Sequence, residues 1–208
     1  MYEYHRASEK PQYKLNVSTI LVLINIAVYI LIKLFPMLID YLALYTPNFI
    51  NHKMYWQLIS YMFIHDPYSF SHILFNMLGL FIFGSQLELR MGSREFLIYY
   101  LAAGIGAGIL ALLLKIPVIG ASGAIYALLL GFATYFPNAK ILVFFFFPLK
   151  APVAVLLFAG LSIFFQFSGS FGGVAHWAHL AGIAVGYLYF VIRLKINPVK
   201  VFIENFRR

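Results

Sequence analysis

A single serine stands in the stretch 118–127, VIGASGAIYA, between Gly120 and Gly123 and four residues before Tyr126. In a chain that is otherwise apolar almost throughout, a hydroxyl there is either a packing detail or a nucleophile. A nucleophilic hydroxyl needs a base, and two short motifs supply imidazoles: His72, with Asn76 four residues on in SHILFN, and His176 and His179 in HWAHLAG. The four-residue spacing puts His72 and Asn76 on one helix face. There is no cysteine, which removes thiol nucleophiles, thiolate metal sites and disulfides together. The seven acidic residues fall at the termini, in loops or near the ends of apolar runs. The chemistry open to this set is therefore a Ser-His dyad without a carboxylate. The four histidines 65, 72, 176 and 179 also raise a metal site, but the His-Glu-x-x-His spacing of zinc proteases is absent. Neither a metal nor any other cofactor is expected, and His65 and His176 are left without a role.

The elements that must carry these residues are membrane helices. Of the 208 residues, 62% are hydrophobic and 11% charged, against roughly 25% charged in soluble domains. Apolar runs at about 15–34, 71–87, 96–114, 122–136, 148–167 and 174–192 approach the ~20 residues that span a bilayer. The expected fold is all-α, a six-transmembrane-helix bundle formed by one domain over 1–208. Residues 1–14 form a short cytoplasmic segment and 195–208 a short basic tail. The run Ile141 to Phe147 is open between an interfacial piece and the start of the fifth helix. With both termini inside, twelve of the fifteen basic residues are cytoplasmic, leaving Lys33, Lys53 and Lys115 outside. Basic residues flank the apolar runs rather than forming one stripe, so the net charge of +8 points to lipid head groups and not to nucleic acid.

In this topology the second, fourth and sixth helices all enter from the outer side. The run from Ser122 to Phe136 covers about 22 Å of a ~30 Å core, which starts Ser122 roughly 8 Å below the outer interface. His179 and Asn76 come to about the same depth by the same rise per residue. The segment before Ser122 is then non-helical at membrane depth and must be enclosed by protein or line a water-filled cavity. A serine in a helix's first turn has the N–H groups of Ala121 and Ser122 available to a developing oxyanion, and Gly120 lets backbone approach a substrate carbonyl. Tyr126, one turn on, is placed to pack on the imidazole of His179. Each feature has a plainer reading: Gly-Ala-Ser-Gly as close helix contact, and His72 and Asn76 as interhelical hydrogen-bond donors. The pairs Gly104/Gly108 and Gly182/Gly186 read as packing, with Gly123 beside the histidine helix. Glu88 and Arg90 in LELR read as a structural hydrogen-bonding pair.

The ordered set HILFNM, LELR, GASG with Tyr126, and AHLAGIAVG resembles the rhomboid family of intramembrane serine proteases over about Trp56 to Gly186. The resemblance implies Ser122 as nucleophile, His179 as general base, and His72, Asn76 and the Ser122 N–H around the oxyanion. It implies a partly helical first loop in the outer leaflet and single-pass transmembrane proteins as substrates, with SGSFGG at 168–173 as a mobile cap and Phe171 as its plug. It also suggests a multi-pass protein of a prokaryotic plasma membrane. The first-loop Trp-Arg pair of the family reads Trp56-Gln57, which puts an arginine-based contact there in question. The alternative reading is an inactive rhomboid-like protein that binds membrane clients.

Overall fold

The computed structural model describes residues 15–143, 146–168 and 176–207. Each expected apolar run contains helix among its described residues. Helix α1 covers Val17–Leu34, and a first loop follows with three short helices, α2 (Leu38–Leu42), α3 (Thr46–Asn51) and α4 (Gln57–Ser60). Helix α5 (Phe70–Gly79) continues through a π-helical turn at Leu80–Gly84 into α6 (Ser85–Met91). Then come α7 (Ser93–Leu113), α8 (Ser122–Tyr135), α9 (Ala151–Ser168), α10 (His176–Ile192) and α11 (Pro198–Phe206). Among the described residues, Val17–Leu34, Phe70–Met91, Ser93–Leu113 and Ala151–Ser168 are long and apolar enough to cross a membrane. Helices α8 and α10 are shorter apolar helices.

Two segments take a form that the sequence left open. Of the two readings of Ile141 to Phe147, the start of the fifth helix is not what the described residues form, since α9 begins at Ala151. Lys140–Val143 (β1) and Phe147–Lys150 (β2) pair as an antiparallel hairpin, with Leu142 opposite Pro148. Pro148 would break a helix interior but is tolerated in a strand with an open edge. The second is 195–208, expected as a tail, where α11 begins at Pro198. Asn197 caps it by accepting the Lys200 N–H at 3.2 Å, and proline fits the first helical position because its missing N–H would be unpaired there anyway.

The core lies along α7, α8 and α10. Phe96, Tyr99, Tyr100, Leu128 and Phe190 are fully buried in it, while the outer faces carry exposed Leu23, Ile24, Phe81, Leu156 and Leu188. Such a surface suits hydrocarbon, which leaves close packing and internal hydrogen bonds to hold the bundle together. Small residues set the packing. A Cβ at Gly104 would overlap the Met62 side chain, and one at Gly108 would crowd Tyr61, Leu58 and Leu44. These two glycines of α7 thus seat the first loop, not another helix.

Glu88 is 4% exposed and serves as an anchor. Its carboxylate accepts the Val17 N–H, the Ser18 N–H and the Ser18 hydroxyl, each at 2.8 Å, and the Ser93 hydroxyl at 2.5 Å. It therefore caps the first turn of α1, where free N–H groups and the helix dipole favour an anion, and ties the start of α7 to the same point. Arg90 is not its partner, contrary to the expected pairing: its guanidinium lies 5.1 Å from the ring centroid of Tyr135. We predict that Glu88→Ala, which strands several buried donors, costs about 2–4 kcal/mol. Arg90→Ala should cost under about 1 kcal/mol. Reversible unfolding in mixed micelles measures both, and equal effects would contradict this division.

Candidate active site

Helix α8 starts where the chain is forced out of helical geometry. Gly120 has φ +106°, a left-handed value that favours glycine, and a Cβ there would lie 2.9 Å from His72 Nε2. Its N–H donates to the Tyr61 carbonyl at 2.9 Å, while the Tyr61 hydroxyl donates to the Gly104 carbonyl at 2.6 Å. Two further bonds, between Leu44 and Val118, fix the preceding strand-like segment to the first loop. The non-helical stretch before Ser122 is thus held by protein on its own backbone groups. Ala121 is fully buried, and Ser122 opens the helix, so their N–H groups precede the intrahelical ladder.

Across from it, α10 packs on α8 through backbone. A Cβ at Gly182 would overlap the carbonyl of Gly123, and one at Gly123 would come within 2.7 Å of Ala107 Cβ and 3.2 Å of the Ala178 carbonyl. At Gly186 it would crowd Ala127 and the Tyr99 hydroxyl. This crossing brings His179 Nε2 to 2.8 Å from Ser122 Oγ. The rings of Tyr126 and His179 stack at 4.3 Å with an 11° interplanar angle, and the Tyr126 hydroxyl accepts a bond from Ser162 Oγ of α9 at 3.2 Å. His179 is 8% exposed and its Nδ1 has no hydrogen-bond partner among the described residues. Ser122, Tyr126 and His179 therefore form one contact set drawn from two helices.

The remaining expected residues lie around it. His72 faces Gly120, and its Nδ1 accepts the Asp66 N–H at a long 3.4 Å. Asn76 Nδ2 donates to the His72 carbonyl at 2.7 Å, and its side chain also lies beside the His65 imidazole. Among the described residues no hydrogen bond joins it to Ser122 or His179. His65 is fully buried and packs edge-on against His72 at 5.1 Å. Burial first, and the nearby His72 second, lower its imidazole to about 4, so it is neutral at neutral pH. His176 sits edge-on to His179 at 5.8 Å. No group of three metal-ligating side chains occurs among the described residues. The expected cap and plug, 169–173 with Phe171, lie outside the described residues.

Sequence reasoning left out three contributors. Ser162 is the lone polar residue inside the apolar run APVAVLLFAGLSIFF, a signal that an intramembrane hydroxyl has a partner. Tyr61 carried no such mark. Gln57 stood only as a departure from arginine, yet it is fully buried. Its amide donates to the carbonyls of Asp40 and Tyr41 at 3.1 and 3.3 Å, and its oxygen accepts the Tyr45 N–H at 3.3 Å. With Trp56 Nε1 donating to Tyr41 at 2.8 Å, the first loop closes without a guanidinium.

An apolar helical bundle with membrane-length helices and a serine–histidine pair on two crossing helices defines an integral membrane protein. Residues 52–196 match the model of the Rhomboid domain, and the chain belongs to the rhomboid family. It is 34% identical over 131 residues to "Rhomboid protein 1, mitochondrial" of Saccharomyces cerevisiae, covering 58% of this chain and 37% of that protein. To "RHOMBOID-like protein 12, mitochondrial" of Arabidopsis thaliana it is 28% identical over 134 residues, 55% of this chain and 40% of that one. The matches thus span about two fifths of the length of these curated relatives. Both are named as mitochondrial, and nothing supports the expectation of a prokaryotic plasma membrane.

We predict that Gly182→Ala, with backbone directly opposite, costs about 3 kcal/mol or more as an overpacked core. Gly160→Ala on α9, where nothing lies within 4 Å, should be neutral or stabilising by up to about 1 kcal/mol through helix propensity. Unfolding in mixed micelles separates the two.

Proposed function

We propose that this protein is an intramembrane serine endopeptidase that cleaves transmembrane segments of other membrane proteins. The observation that carries the reading is the 2.8 Å contact between Ser122 Oγ and His179 Nε2, within hydrogen-bond reach for general-base activation. In this reading Nε2 takes the hydroxyl proton as Oγ attacks the scissile carbonyl, then returns it to the leaving amine. Stacking on Tyr126 fixes the ring plane, the orienting task that a carboxylate performs in a triad. The N–H groups of Ala121 and Ser122 lie at the start of α8, where negative charge is favoured. His72, against Gly120, and the amide of Asn76 serve as side-chain donors to the oxyanion.

Six spans with both termini inside would set Ser122 in the outer half of the bilayer, where α8, too short to fill the membrane, leaves room for water. The substrates would be single-pass transmembrane proteins, presented from the surrounding lipid. No cofactor is required. Membership of the rhomboid family supports the same class of activity.

Cleavage of a fluorogenic transmembrane substrate in liposomes tests the assignment. Ser122→Ala and His179→Ala should each lower kcat on the order of 10⁴-fold with the fold intact, and wild-type rates in either would refute the dyad. Tyr126→Phe keeps the stack and should retain most activity. Tyr126→Leu removes it and should cost roughly tenfold. Equal rates for those two variants would remove Tyr126 from the mechanism.

A further inference from the structure

The hairpin at the end of the bundle opposite Ser122 holds a charge arrangement that the described residues do not neutralise. In its register Lys140 stands opposite Lys150 and Leu142 opposite Pro148, so these four side chains share one face of the ribbon. Ile141 packs into the core and Val143 is buried, both from the other face. Lys140 and Lys150 are both exposed. Like charges directly opposite on an antiparallel pair repel, yet neither lysine forms an ion pair with any described residue. Among the described residues the ion pairs are Arg193–Glu95 and Lys200–Glu204.

Beside the lysines the ribbon turns apolar. Leu142 is 60% exposed and Pro148 opposite it is exposed as well, an apolar pair on the lysines' own face that water would not favour. Helix α11 lies alongside, its Asn205 Nδ2 donating to Asn138 Oδ1 at 2.7 Å two residues before Lys140. It repeats the pattern. Pro198, Phe202 and Asn205 face inward, Val199, Ile203 and Phe206 form an exposed apolar stripe, and Lys200 and Arg207 lie on its polar face. Basic groups thus border lipid-compatible side chains on two adjacent elements.

We propose that this hairpin binds an anionic phospholipid, with the phosphate between Lys140 and Lys150 and the acyl chains along Leu142 and Pro148. A bridging phosphate replaces the lysine repulsion with two charge-assisted hydrogen bonds. A nucleic acid or an acidic peptide would satisfy the lysines but leave Leu142 and Pro148 in water, whereas a diacyl lipid covers both. Its site lies just past the Pro137 stop of α8, at the depth where headgroups begin.

Native mass spectrometry of the purified full chain in detergent, titrated with phosphatidylglycerol or phosphatidylcholine, tests the proposal. K140Q/K150Q should bind phosphatidylglycerol roughly thirtyfold more weakly than wild type, from the surface attraction of two lysines. Phosphatidylcholine uptake should be the same in both. A control with equal charge loss at the other end, K33Q/K115Q, should match wild type. L142S/P148S, with both lysines kept, should lose the preference for the diacyl lipid over glycerol 3-phosphate. Melting of K140Q/K150Q at or above the wild-type temperature shows that the loss is not unfolding. Equal phosphatidylglycerol affinity in wild type and K140Q/K150Q, equal loss in the K33Q/K115Q control, or wild-type binding of glycerol 3-phosphate as tight as that of the lipid would overturn the assignment.

Discussion

Helices α8 and α10 touch through backbone, and the arrangement of the candidate site follows from that approach. At Gly182 there is no room for a single carbon against the Gly123 carbonyl, and Gly186 is confined in the same way by Ala127. In a lipid-solvated bundle, helices gain little from burying apolar surface against one another, and close contact between small residues takes over. The contact also fixes a distance. His179 lies one turn before Gly182, and Ser122 immediately precedes Gly123, so the nearest approach of the two helices is the place where imidazole and hydroxyl meet. A bulkier pair at the crossing would part the helices by more than a hydrogen bond tolerates.

The rest of the structure keeps polar groups satisfied around that crossing. Glu88 gathers the first turn of α1 and the start of α7, while Gln57 and Trp56 close the first loop on its own carbonyls. Tyr61 then links that loop to both α7 and the Gly120 turn. A buried group without a partner is costly in such surroundings. Among the described residues the Nδ1 of His179 is one of the few buried polar atoms left without such a partner.

Much of this was legible in the sequence, for a physical reason. Membrane helices announce themselves by length and hydropathy, and an ionisable residue inside one is expensive enough to stand out. His72, Asn76, Ser122 and His179 were visible in that way, and the i, i+4 spacing of Ser122 and Tyr126 foreshadowed the stack. Partners that meet only in three dimensions were not. Glu88 and Arg90 lie two apart in LELR, yet neighbours at that spacing point away from each other on a helix, and each found its contact elsewhere. The pairing of Lys140–Val143 with Phe147–Lys150 was hidden because a short apolar run bounded by prolines does not distinguish strand from helix. Tyr61 looked like any interfacial aromatic; only its two ends show what it joins.

The central claim is that Ser122 is a nucleophile activated by His179. A fluorophosphonate probe, with the modified residue mapped by peptide mass spectrometry, tests it most directly. The account predicts covalent labelling of Ser122 in the wild-type protein, and none in a folded His179→Ala variant. An unlabelled Ser122 in folded wild-type protein, or equal labelling without His179, would contradict it.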